Sequence, residues 1–191
     1  MKKLALFAIA LMAIVGTAIA ALPITKVDRV NPTDEIFMEM ALDEAKKNVE
    51  TGGLPCGAAI VKSNRMISVG QSTEKATAEE AAIAMSKKKS LNFATIYTIN
   101  EPTTAAYNAI CKSGADAVVF VNSREDVIAA GVYPADAYND ALIDSSLTQV
   151  PMSQVENREA SDLLMNFKKK AIVIKQNQQR RRLFRVGGVV D

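Results

Sequence analysis

An entirely apolar run at residues 117–121 constrains the fold of this chain more than any other segment. Its length is that of a strand, and a strand that is apolar at every position is typically covered on both faces of its sheet. A second apolar strand is predicted at 94–99, and the segment between them has a helical pattern opened by Glu101 and Pro102. A strand, a helix and a strand in this order predict a right-handed parallel crossover.

The upstream segments add a hairpin and more helices. Two apolar runs separated by a short polar turn predict an antiparallel pair of strands. The predicted elements, in chain order, are a helix at 33–50, strands at 57–61 and 66–70, a helix at 77–89, a strand at 94–99, a helix at 102–113, a strand at 117–121, and helices at 124–130 and 153–170. We therefore expect an α/β fold with three layers, α/β/α, around a mixed central sheet of four to five strands.

Three phrases along these elements carry a resemblance. Residues 53–62 read GLPCGAAIVK, residues 96–102 read IYTINEP, and residues 150–155 read VPMSQV before a long charged segment. They resemble the G-x-P-F-G-A-x-I-V-K strand, the L-Y-T-x-x-E-P strand and the C-terminal part of the cytidine deaminase-like superfamily. The nearest resemblance is to bacterial guanine deaminases and related nucleoside deaminases. It covers about residues 34–170 and implies the superfamily's fold.

The resemblance also implies where a zinc site would lie. In the family, the starts of two helices read roughly P-T-A-H-A-E and E-P-C-x-x-C, where one His and two Cys bind zinc and a Glu moves protons. The matching positions here hold Glu79, Thr103 and Ala106 in place of the ligands and Ala81 in place of the proton shuttle, and the chain has no histidine. Zinc needs about three ligands drawn from imidazole, thiolate and carboxylate. The sequence therefore predicts no bound metal and no cofactor, although the family uses zinc.

The predicted function is that of a catalytically inactive deaminase-like protein that binds a partner protein or a small ligand. Two alternatives remain: a nucleoside or guanine-type deaminase with an atypical site, and an enzyme that uses the scaffold for other chemistry. The candidate pocket comprises Gln71, Glu79, Glu101 and Pro102. Amide groups of the helix that starts at Pro102 could hold the Glu79 carboxylate in place of a metal. Alternatively, Glu79 turns to solvent.

Residues 1–20 have the layout of a secretory signal peptide. Lys2 and Lys3 precede an apolar run at 4–15, and Ala18-Ile19-Ala20 forms a small-x-small cleavage site. We expect export to the periplasm or the medium with cleavage after Ala20, and an uncleaved anchor is the alternative. The predicted organisation is a signal peptide at 1–20, an extended lead-in at 21–32, a deaminase-like domain at 33–175 and a basic C-terminal tail at 176–191.

Cysteine and charge usage leave further alternatives. Cys56 and Cys111 are the only thiols, and in an exported protein they could pair or remain as two small buried hydrophobic residues. Without Lys2 and Lys3 the chain has 21 basic and 21 acidic residues, so no strong attraction to nucleic acid is expected.

Eight cations nevertheless fall within residues 168–191. They are consistent with a solvated helix end, or with contact to anionic lipid or an acidic partner. By resemblance to the family we also expect a homodimer, with residues 153–170 in or near the contact between subunits.

Overall fold

The computed structural model of the chain describes residues 24–26, 32–87 and 90–186, so the predicted signal peptide lies outside the described residues. The elements are β1 (Ile24–Lys26), α1 (Pro32–Glu50), β2 (Gly57–Lys62), β3 (Arg65–Gln71), α2 (Ala78–Met85), β4 (Ala94–Asn100), α3 (Thr104–Ser113), β5 (Ala117–Asn122), α4 (Arg124–Ala129), β6 (Met152–Gln154) and α5 (Arg158–Val186). Two short 3₁₀ turns, Ala135–Tyr138 and Asp140–Leu142, lie between α4 and β6.

The strands form one mixed sheet in the order β1-β6-β5-β4-β2-β3. Strand β2 runs antiparallel to β3 and β4, whereas β4, β5, β6 and β1 run parallel to one another. The α/β class, the mixed sheet and the parallel crossover through α3 are confirmed. The strand count of four to five is wrong, because the described sheet has six strands. The two additional strands, β1 and β6, have three residues each, too few for an alternating pattern to predict them.

The last predicted helix also differs from the structure. Ser153 and Gln154, which we assigned to a helix at 153–170, belong to strand β6. Helix α5 starts at Arg158 and continues through residue 176, where a separate tail was predicted to begin. Pairing with β5 places Met152–Gln154 in the sheet, and three residues are too few for a sequence pattern to predict this.

Helices cover both faces of the sheet, as the three-layer prediction requires. On one face α1 packs Phe37 and Leu42 against Tyr97 and Val119. On the other face α2, α3 and α4 contribute to a second cluster with the alternate side chains of the same strands. Members of this second cluster include Ala82, Tyr107, Ile110, Val127, Ile60, Ile96, Val118 and Phe120. The alternation of side chains along a strand produces this division of the core.

Two glycines set how closely the helices approach the sheet. A Cβ atom added at Gly57 would lie 2.2 Å from the carbonyl oxygen of Ala41 in α1, and one added at Gly70 would lie 2.3 Å from that of Ala78 in α2. Both contacts are with helix backbone, so any larger residue would push a helix away from the sheet. Gly70 thereby holds the start of α2 against β3. None of the described helices has an apolar stretch long enough to cross a membrane.

Candidate functional site

The first turn of α2 places Glu79 in the interior. Thr77 caps the helix: its hydroxyl accepts a hydrogen bond from the Glu80 amide at 3.3 Å, and the Glu80 carboxylate accepts one from the Thr77 amide at 2.9 Å. Glu79 is only 5% exposed, and its Oε1 atom accepts a hydrogen bond from the Thr98 hydroxyl of β4 at 2.5 Å. The alternative in which Glu79 turns to solvent is therefore wrong.

Burial is the main influence on the ionisation of Glu79. It raises the pKa of the carboxyl because a charge in the interior is poorly solvated. Hydrogen bonds from the Thr98 hydroxyl, the Glu79 amide and the Thr77 hydroxyl offset part of this rise, and the nearby charge of Glu80 adds to it. The net result is a carboxyl that retains its proton at a higher pH than an exposed glutamate.

The start of α3 is satisfied by its own residues. The helix begins at Thr104 and not at Pro102, because Thr103 acts as its N-cap. The Thr103 hydroxyl accepts a hydrogen bond from the Ala106 amide at 3.3 Å. We expected amides at the start of α3 to hold the Glu79 carboxylate. For the Ala106 amide this prediction is wrong, because that amide donates to Thr103. The hydroxyl that binds Glu79 comes from the sheet instead.

The donor groups at the former zinc positions do not fit a zinc ion. Within the described residues, no three His, Cys, Asp or Glu side chains are close enough to hold a metal together. Glu79 offers a carboxylate, but the Thr103 hydroxyl caps α3, and the buried Ala106 offers only a methyl group. Ala81, at the shuttle position, is half-buried and has no titratable group. Hydroxyl and methyl groups do not replace the thiolates that zinc sites use.

Three further side chains lie close enough to Glu79 to interact with its charge: Cys56, Tyr133 and Tyr138. Burial raises the pKa of Cys56 to about 12. Hydrogen bonding with Tyr133, Ser72 and Asn100 lowers it, and the charge of Glu79 raises it further. Burial is also the main cause that raises the pKa of Tyr133, and the charges of Cys56 and Glu79 raise it further.

Sequence analysis did not assign these three residues to the pocket. The two tyrosines come from the segment after α4, which has no strong helix or strand pattern. No buried side-chain nitrogen or oxygen of the described residues lacks a hydrogen-bond partner.

The Glu101 carboxylate is held by Arg124 of α4. It accepts hydrogen bonds from the Arg124 amide at 2.9 Å and from Arg124 Nε at 2.6 Å. The same guanidinium contacts both carboxylate oxygens of Asp140 at 3.1 Å and lies over the Tyr138 ring. Burial by itself lowers the pKa of Arg124, but hydrogen bonding and charge interaction with Glu101, and those with Asp140, raise it overall.

The other two predicted pocket residues are Gln71, at the end of β3, and Pro102, just before the cap of α3. The Gln71 amide donates a hydrogen bond to Glu44 Oε2 of α1 at 2.7 Å. Gln71 therefore lies on the α1 side, away from α2, and its assignment to the pocket of Glu79 is wrong. A strand directs alternate side chains to opposite faces, and Gln71 shares the face of Val69. Pro102 is buried between Glu101 and the cap of α3.

The cysteines do not pair. Cys56 and Cys111 are both free and buried, and both belong to the same apolar cluster. The Asn100 amide donates a hydrogen bond to Cys56 Sγ at 3.3 Å. The sequence left two possibilities, a disulfide or two small buried hydrophobic residues, and the structure has the second.

Comparisons with known proteins agree with this fold. Residues 31–122 match the family model of the cytidine and deoxycytidylate deaminase zinc-binding region. No curated protein matches the chain by sequence. Among solved structures, a guanine deaminase from Nitrosomonas europaea superposes with a TM-score of 0.57 at 19% identity, over 74% of this chain and 86% of that one.

A structure from work on A-to-I editing by tRNA:A34 deaminases superposes with a TM-score of 0.55 at 23% identity, over 68% of this chain and 99% of that one. At such identities the likeness to either structure shows the fold alone. Residues 31–122 thus match the cytidine and deoxycytidylate deaminase zinc-binding region, and the fold is the one that these solved structures share.

Proposed function

We propose that this chain is a non-catalytic member of the cytidine deaminase-like superfamily that acts by binding a partner protein or a small ligand. One observation carries the proposal: the positions that bind zinc and move protons in the family hold Glu79, Thr103, Ala106 and Ala81. The two of these side chains that have polar groups make internal hydrogen bonds, to Thr98 and to the amide of Ala106.

The chemistry of deamination supports this reading. The reaction needs a metal-activated hydroxide and a carboxylate that carries protons to the ring nitrogen and the leaving ammonia. Ala81 cannot carry a proton, and general acid–base catalysis contributes roughly 10²–10⁴ in rate. Three lost ligands and a lost shuttle together remove both the nucleophile and the proton path. No step of a hydrolytic reaction can be assigned to the residues present.

Metal analysis of the purified protein tests the proposal. We expect below about a tenth of an equivalent of zinc per chain after growth with added zinc. We also expect no ammonia from guanine, adenosine or cytidine. The matched control is the variant Glu79→His, Ala81→Glu, Thr103→Cys, Ala106→Cys, which restores the family residues and should bind about one zinc per chain. Stoichiometric metal in the unmodified protein, accompanied by deamination of any of these substrates, would overturn the proposal.

Ligand binding can be separated from other chemistry in the same protein. A panel of nucleobases and nucleosides is screened by thermal shift, because a ligand that binds only the folded state raises its melting temperature. Each stabilising compound is then recovered and its mass measured. An unaltered compound supports binding, and an altered one supports an enzyme that uses the scaffold for other chemistry.

We also propose export, because residues 1–20 have the layout of a signal peptide, and dimerisation, because the chain resembles a family whose members form dimers. The processed protein, recovered from outside the cytoplasm, should begin at Ala21 by N-terminal sequencing. Light scattering at micromolar concentration should give twice the mass of one chain. An N-terminus at Met1 would contradict cleavage, and a monomer would contradict the dimer.

A further inference from the structure

Helix α5 leaves residues 172–174 and 176–178 exposed to solvent. The helix has 29 residues, which corresponds to roughly 43 Å of length at 1.5 Å per residue. Its first half is anchored to the domain by the buried side chains of Ala160 and Leu164. Beyond these anchors, Ile172, Val173 and Ile174 are 45%, 53% and 56% exposed. Three consecutive aliphatic side chains are therefore left in water.

The same segment has charge of only one sign. Lys168, Lys169 and Lys170 precede the three aliphatic residues and Lys175 follows them. No acidic residue occurs from residue 168 to the end of α5, whereas eight residues are basic. A helical segment with so many cations and no carboxylates is suited to an anionic surface.

The cations and the aliphatic side chains form one surface. Lys169, Lys170, Val173 and Ile174 line a shallow hollow of about 360 Å³. Lysine lines an apolar surface with its methylene stem while its ammonium group stays at the rim. This arrangement matches the boundary of a lipid bilayer, where acyl chains lie directly below charged headgroups.

We propose that residues 168–178 of α5 dock on the surface of a membrane that contains anionic phospholipid. The aliphatic side chains enter the headgroup region, and the lysines contact lipid phosphates. The segment lies on the membrane and does not span it, since no described helix is long and apolar enough to cross a bilayer. The composition argues against nucleic acid as the occupant, because residues 168–178 contain no aromatic side chain on which a base could stack. This inference is independent of the proposed function, because it uses none of the residues around Glu79.

Co-sedimentation with vesicles tests the docking surface. The processed protein is mixed with vesicles of phosphatidylcholine alone or with added phosphatidylglycerol, at about 150 mM salt. We expect at least about tenfold tighter binding to the anionic vesicles. The variant Lys168→Gln, Lys169→Gln, Lys170→Gln should lose this preference, whereas the matched control Lys168→Arg, Lys169→Arg, Lys170→Arg should keep it. Because all variants have the same N-terminus, any contribution of the N-terminal region to vesicle binding is equal in each and does not affect the comparison.

A second variant separates the apolar contribution from the charge. Ile172→Ser, Val173→Ser, Ile174→Ser keeps every cation and should still weaken vesicle binding at least about threefold. These side chains are exposed, so the melting temperature should be unchanged. Equal binding to both kinds of vesicle would overturn the proposal. The proposal would also be overturned if the protein shifted tRNA in a gel but did not bind vesicles. The same holds if the protein did not bind vesicles but formed a dimer that the serine substitutions dissociated.

Discussion

The Thr98 hydroxyl donates a hydrogen bond to Glu79 Oε1 at 2.5 Å, and this bond joins β4 to the first turn of α2. Both side chains are buried, at 1% and 5% exposure. In the family, a zinc ion would link the starts of α2 and α3 at this place. Here Glu79 of α2 is bound to the sheet, and Thr103 caps α3 separately. Each helix start is therefore satisfied without the other.

Removal of the Thr98 hydroxyl should destabilise the protein. Thr98→Val keeps the shape of the side chain but leaves the Glu79 carboxyl without this donor. A buried polar group that loses its partner costs about 1–3 kcal/mol. We expect a loss of this size in the free energy of unfolding, measured by urea denaturation at neutral pH. Thr98→Ser keeps the hydroxyl and should lose less than half as much. Equal stability of Thr98→Val and the unmodified protein would show that the bond contributes nothing.

The pKa of Glu79 makes stability depend on pH in a defined direction. Burial raises the folded-state pKa above its unfolded value, so the folded state binds the proton more tightly. Stability from this group is therefore fully present below the unfolded pKa and is lost as the pH rises through the folded pKa. Each unit of the rise corresponds to about 1.4 kcal/mol.

A neutral side chain removes this dependence. Glu79→Gln keeps an oxygen that accepts from Thr98 and cannot ionise. We expect it to be more stable than the unmodified protein above the folded pKa of Glu79, and the difference to shrink as the pH falls below the unfolded pKa. Urea denaturation across pH 4–8 measures the curve. Glu80→Gln, at the neighbouring and partly exposed position, is the matched control. A constant difference across the range would contradict a raised pKa.

The sequence could predict the elements that have their own hydrophobic pattern. The runs that became β2, β3, β4 and β5 are long enough to show one, and the crossover rule then determines how β4 and β5 pair. The positions of Glu79 and Thr103 followed from the motifs. Side-chain partners were not predictable in the same way. Whether the Glu101 side chain contacts Arg124 depends on which face α4 covers. The two residues are 23 positions apart in the chain, so no local sequence pattern predicts their contact.

Arg124 holds the segment after α4 to the rest of the domain. It joins Glu101, whose side chain is 2% exposed, to Asp140, whose side chain is 27% exposed. Arg124→Met leaves the Glu101 carboxylate buried without its cation, which costs about 3–5 kcal/mol when one partner of a buried pair is removed. Asp140→Asn should cost less than about 1 kcal/mol, because this carboxylate is partly solvated.

Urea denaturation of both variants, with the double variant Arg124→Met, Glu101→Leu, checks this order. Replacement of both charges by apolar groups should recover part of the loss. If Arg124→Met and Asp140→Asn cost the same, the pair with Glu101 is not the stronger contact.

Both thiols should be unreactive until the protein unfolds. Cys56 is 4% exposed and its pKa is raised to about 12, so its thiolate fraction at pH 8 is roughly a thousandfold below that of an ordinary thiol. Cys111 is 8% exposed and enclosed by the same cluster. A thiol reagent should therefore find almost no reactive group in the native protein and two per chain in denaturant without reductant. The single variants Cys56→Ala and Cys111→Ala should each halve the denatured count. Because a disulfide would hide both thiols in denaturant, a count of zero there would show that the cysteines pair after all.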